Sequence, residues 1–199
     1  MNQDDVIPIL PLGAVLLPGT RLALQIFEVR YLDLISACLK AGAGFGVVRL
    51  LEGSEVYSAG RWREPRVAAV GCHARIVDWE ALPHGMLGLI VQGEGRFRVG
   101  SQHVDRARVM YAAVEWLPAE PSQPLPPEYA EYAELVTSLA RHPEVARLGM
   151  RTDPTDAVCV GNQLARLLPI PAAKQQELLE LSDPLARLRA IETLLSLLR

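Results

Sequence analysis

Three features of the sequence predict an α+β fold, a small β pseudo-barrel with one helix followed by a C-terminal four-helix α-helical bundle. Residues 1–117 are strand-like and rich in glycine, and residues 128–199 are helical and rich in leucine. Between them, residues 118–127 (PAEPSQPLPP) form a proline-dense linker that supports neither a helix nor a central strand. The 199 residues are enough for one large domain or two small ones with a packed core. A net charge of -3 gives no general field favouring nucleic acid.

The elements follow in order. Residues 6–12 carry Pro8 and Pro11, which predicts an edge strand, because proline has no N–H for a ladder. A turn at Pro18-Gly19-Thr20 leads into a short second strand and then an amphipathic helix. Phe27, Tyr31, Ile35 and Cys38 recur at helical spacing, so Phe27 and Tyr31 are read as core anchors. Glu28 and Lys40 suit the two ends of the helix dipole, and Gly42 is placed to end the helix. Glu28 and Arg30 are expected to pair and fix the strand-to-helix corner. Residues 45–51 read as a strand. Residues 67–79 alternate, with Val70, Cys72, Ala74 and Ile76 on one face and His73, Arg75 and Val77 on the other. Strands at 86–92 and around Phe97, then at 111–117, complete the first half.

In the second half, residues 127–142 predict a helix. Asp153-Pro154-Thr155-Asp156 predicts the start of the next, with Asp153 as cap and Pro154 at the first helical position. That helix should run to about Leu168. Pro171 opens another ending near Leu181, and Asp183-Pro184 opens the last, striped by Leu185, Leu188, Ile191, Leu195 and Leu198.

The chemistry-bearing residues form no catalytic set, and no cofactor or metal is expected. Cys38, Cys72 and Cys159 are odd in number and widely spaced, which predicts reduced thiols. Cys72 and His73 are adjacent on a strand and point to opposite faces, so they do not make a metal pair. Gly93-Glu94-Gly95 leads into a strand rather than a helix, which predicts a bulge or tight bend and not a phosphate loop. Glu177 and Glu180 read as a solvated helix face. Asp4 and Asp5 stand where a secretory signal would be basic, and no apolar run approaches the ~18 residues of a membrane span, so the expected location is cytoplasmic. The local anomaly is residues 57–66 (YSAGRWREPR). Tyr57, Arg61, Trp62, Arg63 and Arg66 are the candidate partner-binding residues, because tryptophan and arginine dominate binding hot spots.

Several segments resemble one family in the same order. Leu10-Pro11-Leu12, Leu16-Leu17-Pro18-Gly19 and the L-x-I-F-E-x-R-Y run over 24–31 resemble the opening of the LON N-terminal domain, the substrate-recognition region of LON-type ATP-dependent proteases. Gly71-Cys72-x-Ala74-x-Ile76 is similar to its central strand, and Gly93-x-Gly95-Arg96-Phe97 to its G-x-x-R-F segment. Residues 174–180 (KQQELLE) and Arg187-Leu188 resemble the K-Q-x-L-L-E and R-L signatures of its helical part. The resemblance implies a PUA-like pseudo-barrel with a helical bundle. No G-x-x-x-x-G-K-[ST] loop and no Ser-Lys pairing is recognisable, so the expectation is a stand-alone LON-like protein lacking ATPase and protease domains. Its implied function is non-catalytic binding of an unfolded or specific protein or peptide partner. Docking would use the barrel edge, the barrel–bundle cleft or the 57–66 loop. The alternative is RNA binding through the PUA-like barrel and the Arg/Trp loop.

Overall fold

The structure is a computed structural model that describes residues 5–55 and 64–196. Its strands are β1 (Asp5–Leu12), β2 (Arg21–Ile26), β3 (Phe45–Glu52), β4 (Arg66–Val67), β5 (Val70–Ala81), β6 (Leu87–Val104) and β7 (Met110–Trp116). The helices are α1 (Val29–Ala41), α2 (Ala130–Ala140), α3 (Pro143–Ala146), α4 (Ala157–Leu167), α5 (Ala172–Glu180) and α6 (Pro184–Ser196). The one-turn α3 is not among the helices the sequence predicts.

β1 pairs with β7 and β3, β3 with β5, β5 with β6, and β6 with β7, so the ladders close into a ring. Among the described strands only the β1–β3 contact is parallel. β2 lies outside the ring on the first part of β6, and β4 on the end of β3. β1 is therefore not the edge strand its prolines predict. Its two ladders are staggered: β7 takes residues 5–9 and β3 takes residues 9–12. Pro8 thus has no β3 partner and Pro11 no β7 partner, which lets each imino nitrogen face the side where a ladder is absent.

The two strand signals around 86–99 merge into one 18-residue strand, β6. Ala74 faces Gly93 while Cys72 faces Arg96, so Glu94 and Gly95 stand against His73 alone. This is the bulge that Gly93-Glu94-Gly95 predicts. Gly93 also receives the Pro18-Gly19 turn. Gly19 donates to its carbonyl and its own N–H donates to Thr20, both at 2.9 Å. A Cβ on Gly93 would lie 2.3 Å from the Leu17 carbonyl oxygen, so the turn can close down only on glycine.

Alternation along the strands separates two apolar clusters. Ile9, Val48, Phe97, Met110 and Ala112 form the smaller one. Leu10, Val47, Cys72 and Val91 face the other way, into a larger cluster that continues through Ile35 of α1 to Val136, Leu164, Leu179 and Leu188 of the later helices. Strands and helices thus share one core.

α1 buries Tyr31, Leu34, Ile35 and Cys38, and Gly42 ends it at φ 61°. Phe27 is 52% exposed, contrary to its expected role as a core anchor. The helix begins only at Val29, with Glu28 extended at its N-cap, so Phe27 lies outside the helical phase and Leu34 completes the apolar face. The α4 cap also differs from expectation. Asp156, not Asp153, accepts from the Val158 N–H, while Asp153 closes a turn by accepting from Thr155. Asp156 also accepts from the Gln123 N–H, which ties the linker to the start of α4.

The end of α5 shows how the helices are held to the strands. A helix terminus leaves carbonyls without partners, and two arginines from elsewhere supply the donors. Arg96 of β6 donates to the carbonyls of Leu179 and Leu181 at 2.9 and 2.7 Å. Arg187 of α6 donates to Leu178 at 3.0 Å and also to Leu181. Glu120 of the linker balances both cations. It lies 3.0 Å from Arg96 and accepts a two-pronged contact of 2.6 and 2.7 Å from Arg187. All three side chains are at most 5% exposed. Burial pulls the Arg96 guanidinium below its ordinary value, Glu120 opposes that shift, and Arg187 adds to it.

Candidate functional site

Of the partner-binding residues expected from the sequence, Tyr57, Arg61, Trp62 and Arg63 lie outside the described residues. Arg66 sits on β4, exposed and ion-paired with Glu52. Residues 6–12 offer only interrupted edges, because β7 covers one side of residues 5–9, β3 covers the other side of residues 9–12, and Pro8 and Pro11 on these stretches lack an N–H.

The strand-to-helix corner is a clamp. Arg30 pairs with Glu28 at 3.0 Å, as expected, and donates to the carbonyls of Arg108 and Glu55. Its guanidinium lies over the Tyr31 ring, 4.3 Å from the centroid. These contacts use the cation to join three segments, so its role is structural.

Among the described residues no hydrolytic constellation assembles around His73. His73 and Arg75 both contact Glu94, at 3.1 and 2.6 Å, with the His73 ring edge-on to Trp116 and no hydroxyl or thiol nucleophile in the set. Cys72 is fully buried, and burial pushes its thiol up to about 12, which keeps it protonated. Among the described residues there is no His/Cys/Asp/Glu group able to hold a metal ion and no helix long and apolar enough to cross a membrane.

No motif singled out the residues of the surface suited to binding, although a cleft between strands and helices was among the expected docking places. That surface lies on the three-stranded ribbon that β2, β6 and β5 form outside the ring. Arg21 of β2 donates to Gln92 of β6 at 3.1 Å and to the Leu148 carbonyl at 2.9 Å, pinning the segment after α3 over one end of the ribbon. Beyond that tether a groove of about 570 Å³ remains open, within the usual range of a ligand site. Small residues, Ala23 and Gly88, line it with Ile90, and Leu82 and Leu148 provide apolar walls. Its rim carries Asp78, Glu80 and Glu144, with Trp79 beside them at 56% exposed. β5 beyond Ala74 pairs only with β6 among the described strands, so no strand covers its outer edge beside the groove, where the Asp78 carboxylate accepts from the Trp79 N–H at 2.9 Å. The only sequence sign was negative: Gly88 and Ala23 interrupt otherwise bulky strands.

A family model described as the ATP-dependent protease La (LON) substrate-binding domain matches residues 6–196. A solved Lon N-terminal domain protein from Xanthomonas campestris is similar at 32% identity, with a TM-score of 0.73, over 96% of this chain and 98% of that one. The N-terminal domain of a Mycobacterium avium complex Lon protease shares the fold at 19% identity. Its TM-score is 0.64, over 94% of this chain and 96% of that one. No curated protein matches the chain.

Proposed function

The chain belongs to the family of LON substrate-binding domains, and from that premise we propose that it is a non-catalytic module that captures unfolded protein segments in the groove between α3 and the β2–β6–β5 ribbon. The ring of strand ladders supports reading its β region as a PUA-like pseudo-barrel that presents this ribbon. The observation that carries the proposal is the coincidence of an apolar groove with an unpaired strand edge. Groove walls supply buried area, and the edge supplies backbone hydrogen bonds that do not depend on the partner's sequence. Such a combination suits recognition of many unfolded segments.

No observation favours RNA binding. Arg66, Arg75 and Arg98 each face a carboxylate, from Glu52, Glu94 and Glu115 respectively, so they do not form a free basic patch.

The test is fluorescence anisotropy of a labelled, permanently unfolded model protein titrated with the full chain. Saturable binding is expected, weakened at least about tenfold by Ala23→Arg, which fills the groove with a long side chain. Recovery of the model protein intact is also expected. Absence of binding, or binding indifferent to Ala23→Arg, would refute the location, and cleavage would refute the non-catalytic reading.

A further inference from the structure

We propose that the open edge of β5, residues 77–81, accepts an extended segment whose side chains alternate between basic and apolar, forming an added strand. This rests on the substrate-recognition reading above and specifies the chemistry of what is recognised.

Strand register sets which side chains an added segment would meet. Asp78, Trp79, Glu80 and Ala81 pair on one side with Ile90, Leu89, Gly88 and Leu87 of β6, and no described strand occupies the other side. Successive residues alternate between the two faces, so Asp78 and Glu80 share the groove face while Trp79, which still borders the groove rim, alternates with them. A segment added along this edge inherits the alternation. Side chains facing Asp78 and Glu80 lie on the groove face, and the one facing Trp79 lies on the other.

Charge then selects the occupant. Neither Asp78 nor Glu80 has a cationic partner among the described residues. The nearby cations are already engaged: Arg75 with Glu94 at 2.6 Å, and Arg147 with Glu144 at 3.0 Å. Two carboxylates spaced two residues apart therefore call for lysine or arginine at alternate positions of the added strand. Trp79, more than half exposed, calls for an apolar residue between them. A second copy of this chain is the wrong occupant. Twofold antiparallel pairing about Trp79 would set Asp78 directly against Glu80, and like charges in facing positions are destabilising. The acids thus bar self-association at the edge and admit a basic complement.

The experiment titrates the full chain at low salt with fluorescent seven-residue peptides. One alternates lysine with valine, one replaces every lysine by glutamate, and one groups the same lysines at one end. Two further lysine–valine peptides are N-methylated at alternate residues, in opposite frames. The alternating basic peptide is expected to bind at least about tenfold more tightly than the acidic and grouped ones. One N-methyl frame should abolish binding and the other spare it, because only alternate amides face the edge. Asp78→Lys combined with Glu80→Lys should invert the preference toward the glutamate peptide, with circular dichroism confirming the unchanged fold. Equal affinity for all peptides, or a preference untouched by the double substitution, overturns the inference. The unfolded model protein separates the two levels. If it still binds while the peptides show no preference, the edge chemistry alone is wrong, and if it does not bind, the recognition reading fails as well.

Discussion

Glu120→Gln is the substitution that most severely tests how the strands and helices are joined. Glu120 is the one carboxylate between two buried guanidiniums, 3.0 Å from Arg96 and 2.6–2.7 Å from Arg187. Glutamine keeps the volume but removes the negative charge, and its NH2 group places a donor against a donor. The arginines cannot turn to water, because they also satisfy the carbonyls of Leu178, Leu179 and Leu181 at the end of α5. Breaking a buried pair by removing one partner costs about 3–5 kcal/mol. With a urea slope of about 2 kcal/mol per molar, the unfolding midpoint should fall by roughly 2 M. Urea titration followed by far-ultraviolet circular dichroism measures this directly. A loss below about 1 kcal/mol, the level of an exposed ion pair, would refute the assignment of Glu120 as the central counter-charge.

Three further outcomes follow from particular contacts. Gly93→Ala should destabilise by about 1–3 kcal/mol in the same titration, because its Cβ would meet the Leu17 carbonyl at 2.3 Å. Asp156→Ala should cost about 1–2 kcal/mol and loosen the linker, since the carboxylate caps α4 and also holds the Gln123 N–H. Thermal or urea unfolding would read the first effect, and faster proteolysis near residues 118–127 the second. The Cys72 thiol, raised from 9.0 to about 12 by burial, stays protonated when folded but ionises above about 9 when unfolded. The unfolded chain then binds fewer protons, so stability is full below pH 9 and declines as pH rises from 9 toward 12. Between pH 8 and pH 10 this group should remove on the order of 1 kcal/mol, and Cys72→Ala should flatten the slope correspondingly. Identical pH slopes in the two proteins would contradict it.

What the sequence showed was local in origin. Val70, Cys72 and Ala74 alternate because one face of β5 is buried, and the pattern is visible within five residues. Gly42 and the Gly93-Glu94-Gly95 triplet mark a left-handed cap and a bulge through backbone demands of their own. What the sequence hid depended on distant partners. Pro8 and Pro11 suggested an edge, yet β1 sits between β3 and β7 through a stagger that only the positions of those strands reveal. Phe27 kept helical spacing with Tyr31, but the helix begins two residues too late to use it. Glu120 looked like a polar residue in a linker, because nothing nearby announces an arginine 67 positions away. The groove had no motif at all. It arises where α3 passes over a ribbon whose floor is kept low by Ala23 and Gly88.

The central claim is that unfolded protein is held on this ribbon, and hydrogen–deuterium exchange of the full chain tests it most directly. With a saturating unfolded model protein present, exchange should slow across residues 75–81, 87–90 and 144–148 and stay unchanged in β1 and α6. Protection absent from β5 and the α3 segment, or confined to other surfaces, would contradict the account.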